Sequence, residues 1–174
     1  MEMKGNELTD PQSVRSLVVV FSYHHKNTEK IAHVIAKVLG AEVKTPRQVT
    51  PEELSEYDLV GFGSGIYSAT FDASLLDLAD RLPQVNDKKA FLFSTYGAPA
   101  AFANREFMEN NHKQIRQKLT QKGYTVIGEF GCPGLNTNSF LRLFGGLNKG
   151  RPGADDLNHA EEFAEDLQGK VRGK

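Results

Sequence analysis

The sequence predicts an α/β fold in which a parallel β-sheet is covered by helices on both faces. Three features predict it. Apolar runs at residues 17–21, 59–63, 90–94 and 124–130 are short and nearly unbroken, the pattern of strands buried on both sides. The segments between them repeat apolar residues at helical spacing. The two patterns alternate along the chain, which calls for crossover connections and therefore parallel strands.

Each element has its own signature. Residues 1–16 are polar and lack a signal-peptide core, so they are expected as a loose tail ahead of a domain over residues 17–174. Residues 17–21 form the first strand. Ile31, Ile35, Val38 and Leu39 make one helical face, and Gly40 follows as a stop. Residues 41–44 are a short second strand. Thr50-Pro51-Glu52-Glu53 reads as the start of a short helix. Residues 59–63 form the third strand. Leu75, Leu78, Ala79 and Leu82 then form a stripe ended by Pro83. The fourth strand, 90–94, is followed by a helix with Met108, Ile115 and Leu119 on one face and Gly123 at its end. After the fifth strand, 124–130, comes a last helix carrying Leu157, Ala160, Ala164 and Leu167, with Asp155 and Asp156 near its positive end.

Bulk properties exclude several function classes. A chain of 174 residues suits one domain with a real core. A formal net charge of −1 gives no basis for nucleic-acid binding. No apolar run has the length of a membrane span. Cys132 is the lone cysteine, which rules out an intrachain disulfide and a cysteine-rich metal site. The chain therefore reads as a soluble cytoplasmic protein. It has no Gly-x-x-x-x-Gly-Lys-Ser/Thr loop and no Gly-x-Ser-x-Gly elbow. Gly61-Phe-Gly-Ser-Gly65 has the wrong spacing for a dinucleotide fingerprint and belongs to the third strand.

In such a sheet, ligands bind beyond the carboxyl ends of the strands at a topological switch point. Three loops there carry the candidate chemistry. The first is Ser22-Tyr23-His24-His25-Lys26-Asn27-Thr28. Its hydroxyls and the free N–H groups of the following helix suit a phosphate. Asn27 and Thr28 also read as helix-capping residues. The adjacent His24 and His25 cannot form a paired metal site. Either one of them donates to the phosphate, or both are partly exposed loop residues. The second loop offers Ser64, Gly65, Ile66 and Tyr67, in which glycine admits a planar ligand and Tyr67 an aromatic face. The third offers Thr95, Tyr96 and Gly97.

Together these loops resemble those of the flavodoxin family. Ser22, Asn27 and Thr28 match its phosphate loop, while Lys26 stands where a glycine is usual. A positive φ there would cost lysine about 1 kcal/mol relative to glycine. The resemblance implies a three-layer flavodoxin-like sandwich of strand order 2-1-3-4-5. It implies noncovalent FMN, with its phosphate on the first loop and its ring between Tyr67 and Tyr96. The Gly65–Ile66 peptide is the candidate to reorient on flavin reduction, and the backbone of residues 95–97 to bind the ring's polar edge. The implied function is an electron carrier that moves electrons singly through the flavin semiquinone, with no catalytic side chain. Its partners would be a reductase and an electron acceptor, and a homodimer is open. Two alternatives stand beside it: a flavin-dependent oxidoreductase of quinone-reductase or protoporphyrinogen-oxidase type, and a flavin-free protein-interaction module.

Two further features bear on partners. Glu52, Glu53, Glu56, Asp58, Asp72, Asp77 and Asp80 make the chain around the second loop acidic, which suggests a docking face. Residues 132–153 form a long glycine-rich stretch in which Phe140, Leu141, Leu143 and Phe144 are too apolar for a free tail. They are expected to cover the ligand edge or meet a partner, with Gly145, Gly146 and Gly150 allowing movement. Cys132 reads as a packing thiol.

Overall fold

The computed structural model describes residues 14–23 and 25–173, with the side chains of Ala100, Ser139 and Phe140 outside that description. Five parallel strands stand in the order β2-β1-β3-β4-β5. They are β1 (Ser16–Phe21), β2 (Glu42–Lys44), β3 (Leu59–Gly65), β4 (Lys88–Tyr96) and β5 (Tyr124–Pro133). The crossovers are α1 (Asn27–Leu39), α2 (Pro51–Leu54), α3 (Ala73–Arg81) and α4 (Arg105–Gln121), and α5 (Ala154–Arg172) closes the chain. This is the flavodoxin-like sandwich that the sequence predicts.

Alternation along each strand builds two cores. Leu17 and Val19 face the layer that holds Leu54, Leu75, Leu78, Ile115 and Leu119. Val18 and Val20 face the layer that holds Ile31, Ile35, Ala160, Ala164 and Leu167. Helices α2, α3 and α4 thus cover one face, and α1 and α5 the other. Each buried Leu, Ile or Phe contributes about 1.5–3 kcal/mol. On the α1/α5 face, β3 presents Gly61 and Gly63, and the rings of Phe91 and Phe93 lie against them. A Cβ at Gly63 would come within 2.1 Å of the Phe93 ring. The glycines therefore make room for large aromatics on the neighbouring strand.

The strands run further at their carboxyl ends than the apolar runs imply. Gly65 pairs with Thr95, Thr95 with Cys132, and Tyr96 with Pro133. Ser64, Ser94 and Thr95 are polar, yet their backbone groups remain in the ladder, so the expected loop residues 64, 65, 95 and 96 are strand ends. At the other end the domain begins before Leu17. Ser16 opens β1, and the Arg15 N–H donates to Asp58 at 3.0 Å. The rest of the expected tail, residues 1–13, lies outside the described residues. Among the described residues no helix is long and apolar enough to cross a membrane.

Candidate functional site

A cleft of about 520 Å³, open to solvent, lies beyond the carboxyl ends of the central strands. Asn27 and Thr28 line it from α1, and Gly65, Ile66 and Tyr67 from β3 and its loop. Thr95, Tyr96 and Gly97 line it from β4, and residues 134–138 from the segment after β5. The structure therefore brings together the three expected loops and adds a fourth wall.

The first wall is the amino end of α1. Helix α1 starts at Asn27, and the residue before it, Lys26, has φ 52° and makes no side-chain cap. His25 has φ 54°. Two successive non-glycine residues in the left-handed region cost about 1–2 kcal/mol each. That strain turns the chain so that the first N–H groups of α1 point outward without a capping side chain. Asn27 and Thr28 do not cap α1 as their place in the sequence suggests. Both are already inside the helix, and their side chains go elsewhere. Thr28 Oγ1 lies 2.8 Å from Thr95 Oγ1. Asn27 Nδ2 donates to the Leu135 carbonyl at 3.1 Å. Asn27 Oδ1 is buried and has no protein partner. A buried acceptor left this way costs free energy unless something donates to it.

The second wall is tightly bonded. The Ser64 hydroxyl donates to the Gly65 carbonyl at 2.6 Å and accepts from the Asp72 N–H at 2.9 Å. Ser64 is fully buried, so it builds the loop and does not line the cleft. The Ile66 N–H donates to the Thr95 carbonyl at 2.9 Å. Both ends of the Gly65–Ile66 peptide are thus engaged, and turning it would break these bonds. Tyr67 leans back over Gly65, where a Cβ would sit 2.7 Å from its hydroxyl. Its hydroxyl oxygen accepts from the Tyr23 N–H at 3.3 Å. Ser68 and Ala69 follow with φ 50° and 63°.

On the third wall, Tyr96 is buried edge-on against Phe107, with ring centroids 5.3 Å apart. Burial pushes its phenol up to about 12, so the ring stays neutral. The fourth wall belongs to the long stretch 132–153, but it is formed by the polar residues 134–138 and not by the apolar ones at 140–144 that the sequence singled out. The Gly134 N–H donates to the Tyr96 carbonyl at 2.9 Å, and Asn136 Nδ2 to the Gly97 carbonyl at 3.2 Å. Thr137 Oγ1 meets His25 Nε2 at 2.8 Å. The run of Asn and Thr at 136–138 was the available signal. Ser22, His25 and Lys26 flank the cleft without lining it, and His24 lies outside the described residues.

Beneath the third wall, sequence reasoning missed a second polar cluster. His112 is fully buried. Its Nε2 lies 2.7 Å from the Ser94 hydroxyl, and its Nδ1 donates to Glu129 at 2.9 Å. Arg116 grips the same carboxylate through Nε and, at 2.7 Å, through Nη2. Burial alone would raise the Glu129 pKa. The hydrogen bonds and charges of His112 and Arg116 outweigh it and bring the carboxyl to about 2. The clue was position: His112 sits four residues after Met108 and three before Ile115, on the apolar face of α4. Cys132 is buried, and burial raises its thiol above the ordinary range, in keeping with a packing role. Among the described residues no group of His, Cys, Asp and Glu could hold a metal ion.

Five of the seven carboxylates around the second loop are paired with cations in the fold. Folding brings Lys44 to Glu53 at 2.7 Å, Arg15 to Glu56 at 3.9 Å and Lys88 to Asp58 at 3.6 Å. Lys118 reaches Asp80 at 2.5 Å, and Arg81 reaches Asp77 at 3.1 Å. Asp72 caps α3 through the Ser74 N–H.

Fold and cleft define a doubly wound α/β protein with an anion-ready helix terminus and two aromatic residues at its switch point. A family model described as a flavodoxin domain matches residues 18–166, and the chain belongs to that family, a family of flavin proteins. It is 44% identical over 154 residues to an uncharacterized protein of Methanocaldococcus jannaschii, covering 88% of this chain and 98% of that one. Its fold is similar to that of oxidised flavodoxin 2 from Bacillus cereus, with TM-score 0.65 and 18% identity over 90% of this chain and 99% of the other. A flavodoxin from the domain Archaea matches with TM-score 0.59 and 20% identity over 91% and 99% of the two chains.

Proposed function

We propose that this chain is an FMN-binding electron carrier. One observation carries the reading. The uncapped amino end of α1 and Asn27, whose buried Oδ1 has no partner within the protein, line the same cleft as Tyr67, Tyr96 and the backbone of residues 95–97. FMN fits that donor set. Its phosphate would accept from the α1 N–H groups and from a Thr28 or Thr95 hydroxyl, and its ring would suit the aromatic walls.

Bound FMN supplies one-electron oxidation and reduction, chemistry that no side chain of the cleft offers. The chain's residues bind and orient. Thr28 and Thr95 share one hydrogen bond between two hydroxyls, which leaves one hydroxyl hydrogen to donate to an anion. The neutral, buried Tyr96 excludes water from one side. The bonds from Ser64, Asp72 and Thr95 hold the second wall in register.

The test is reconstitution. The purified chain takes up FMN and shows a bound-flavin visible spectrum. Thr28→Ala weakens FMN by about tenfold, or 1.4 kcal/mol, and riboflavin by much less. Equal loss of both ligands would remove the phosphate role, and a chain that takes up no flavin would overturn the reading.

A further inference from the structure

We propose that the mouth of the cleft is a docking surface for a redox protein whose own contact face is acidic. The inference rests on the reading that the cleft holds an electron-carrying flavin. Among the described residues, the exposed large hydrophobics are Tyr23, Phe102, Leu143 and Phe144, at 72%, 73%, 83% and 81% exposure. Each lies in a segment that leaves the carboxyl end of a strand beside the cleft: β1 for Tyr23, β4 for Phe102, β5 for Leu143 and Phe144. These segments are bonded to one another. His25 meets Thr137, and Asn148 Nδ2 donates to the Ala98 carbonyl at 3.0 Å. Apolar exposure of this kind, gathered at one end of a molecule, marks an interaction site.

Charge selects the occupant. Segments 22–28, 97–104 and 134–153 contain no Asp or Glu. They carry Lys26, Arg142, Lys149 and Arg151. Lys26 is paired with Glu29 and Arg151 with Asp156. Arg142 and Lys149 make no ion pair among the described residues, and both are exposed. The Lys149 ammonium lies 3.9 Å from where a Cβ on Gly145 would stand, next to Phe144 in the chain. The carboxylates around the second loop are largely matched by cations. A chain with net charge −1 therefore offers a cationic, apolar rim at the cleft. An acidic partner is steered to such a rim and a basic one is repelled. A second copy docked about a two-fold axis would set Arg142 and Lys149 against themselves.

The test uses two haem proteins of opposite charge, acidic cytochrome b5 and basic cytochrome c. The FMN-loaded chain is reduced with dithionite and mixed with either by stopped flow, one electron passing to each ferric haem. From 20 to 500 mM NaCl the rate with cytochrome b5 should fall about tenfold, and that with cytochrome c should rise. Arg142→Glu with Lys149→Glu should slow cytochrome b5 about tenfold at low salt. Leu143→Ser with Phe144→Ser should slow both proteins without changing either salt slope. These side chains are exposed, so the variants should keep the wild-type thermal midpoint. The opposite salt dependence, or wild-type rates in both double variants, would overturn the proposal. Pelleting of the wild type with phosphatidylserine vesicles, lost in Leu143→Ser with Phe144→Ser, would reassign the surface to a membrane. A dimer in sedimentation that the same variant dissolves would reassign it to a second copy. Amide NMR shifts in the flavin-free chain on adding cytochrome b5 at 20 mM NaCl supply a readout without cofactor. Shifts at residues 142–149 support docking even where FMN binding fails, and shifts confined to other surfaces refute it.

Discussion

Two polar regions at the carboxyl end of the sheet are built on opposite principles. On the α4 face, the buried Ser94 and His112 and the partly buried Glu129 and Arg116 form a cluster in which each of these side chains has a partner. On the α1 face, Asn27 Oδ1 has none, α1 has no capping side chain, and His25 and Lys26 hold left-handed backbones. A satisfied network fixes the position of helix and strands and asks nothing of solvent. An unsatisfied, strained one is tolerated because a ligand completes it. Of the two clusters, the incomplete one lines the cleft where we propose that the ligand binds.

The largest way to break this contrast is to leave the first cluster unsatisfied. Glu129→Leu strands Arg116 and His112, and is expected to destabilise the fold by about 3 kcal/mol. Urea unfolding measures it, while FMN affinity of the folded protein changes little. A large loss of affinity at unchanged stability would make this cluster part of the site.

Acid should act on the same cluster. The Glu129 carboxyl lies near 2 in the folded chain against 4.5 for the free group. A depressed folded value gives stability that is complete above pH 4.5 and is lost as pH falls from 4.5 toward 2. The shift corresponds to about 3 kcal/mol. Unfolding free energies followed through that window should flatten in Glu129→Gln.

Breaking the second cluster should cost binding more than folding. Asn27→Ala removes the bond to the Leu135 carbonyl that ties the start of α1 to the fourth wall of the cleft. Stability should drop by about 1 kcal/mol and FMN affinity by about tenfold or more, read by denaturation and by flavin titration. Relieving strain there should go the other way: Lys26→Gly is expected to gain about 0.5–1 kcal/mol in stability. A lower thermal midpoint in that variant would mean that Lys26 contributes more through its contacts than its backbone costs.

The smallest effect sharpens the rule. Tyr124 OH is also buried without a partner, but it stands at the amino end of β5, away from the cleft. Burial pushes its phenol up to about 12. Tyr124→Phe should be neutral or stabilising by up to about 1 kcal/mol and leave flavin affinity unchanged.

The sequence by itself determined the layers and their order. Val18 and Val20, alternating with Leu17 and Val19, need two covered faces, and that period survives any detail of packing. It also determined the three ligand-end segments, because Asn27, Thr28 and Tyr67 come shortly after an apolar strand and Thr95 and Tyr96 end one. What depends on residues far apart in the chain was settled only in three dimensions. Arg15 and Lys118 reach the acidic stretch from other elements. Residues 134–138 reach the cleft because β5 runs on to Pro133 and α5 shares a face with α1. Glu129 and Arg116 meet His112 because β5 lies beneath α4. Local pattern is fixed by backbone geometry within a few residues, whereas charge pairing and the enclosure of a cleft depend on which distant side chains the fold brings within about 3 Å.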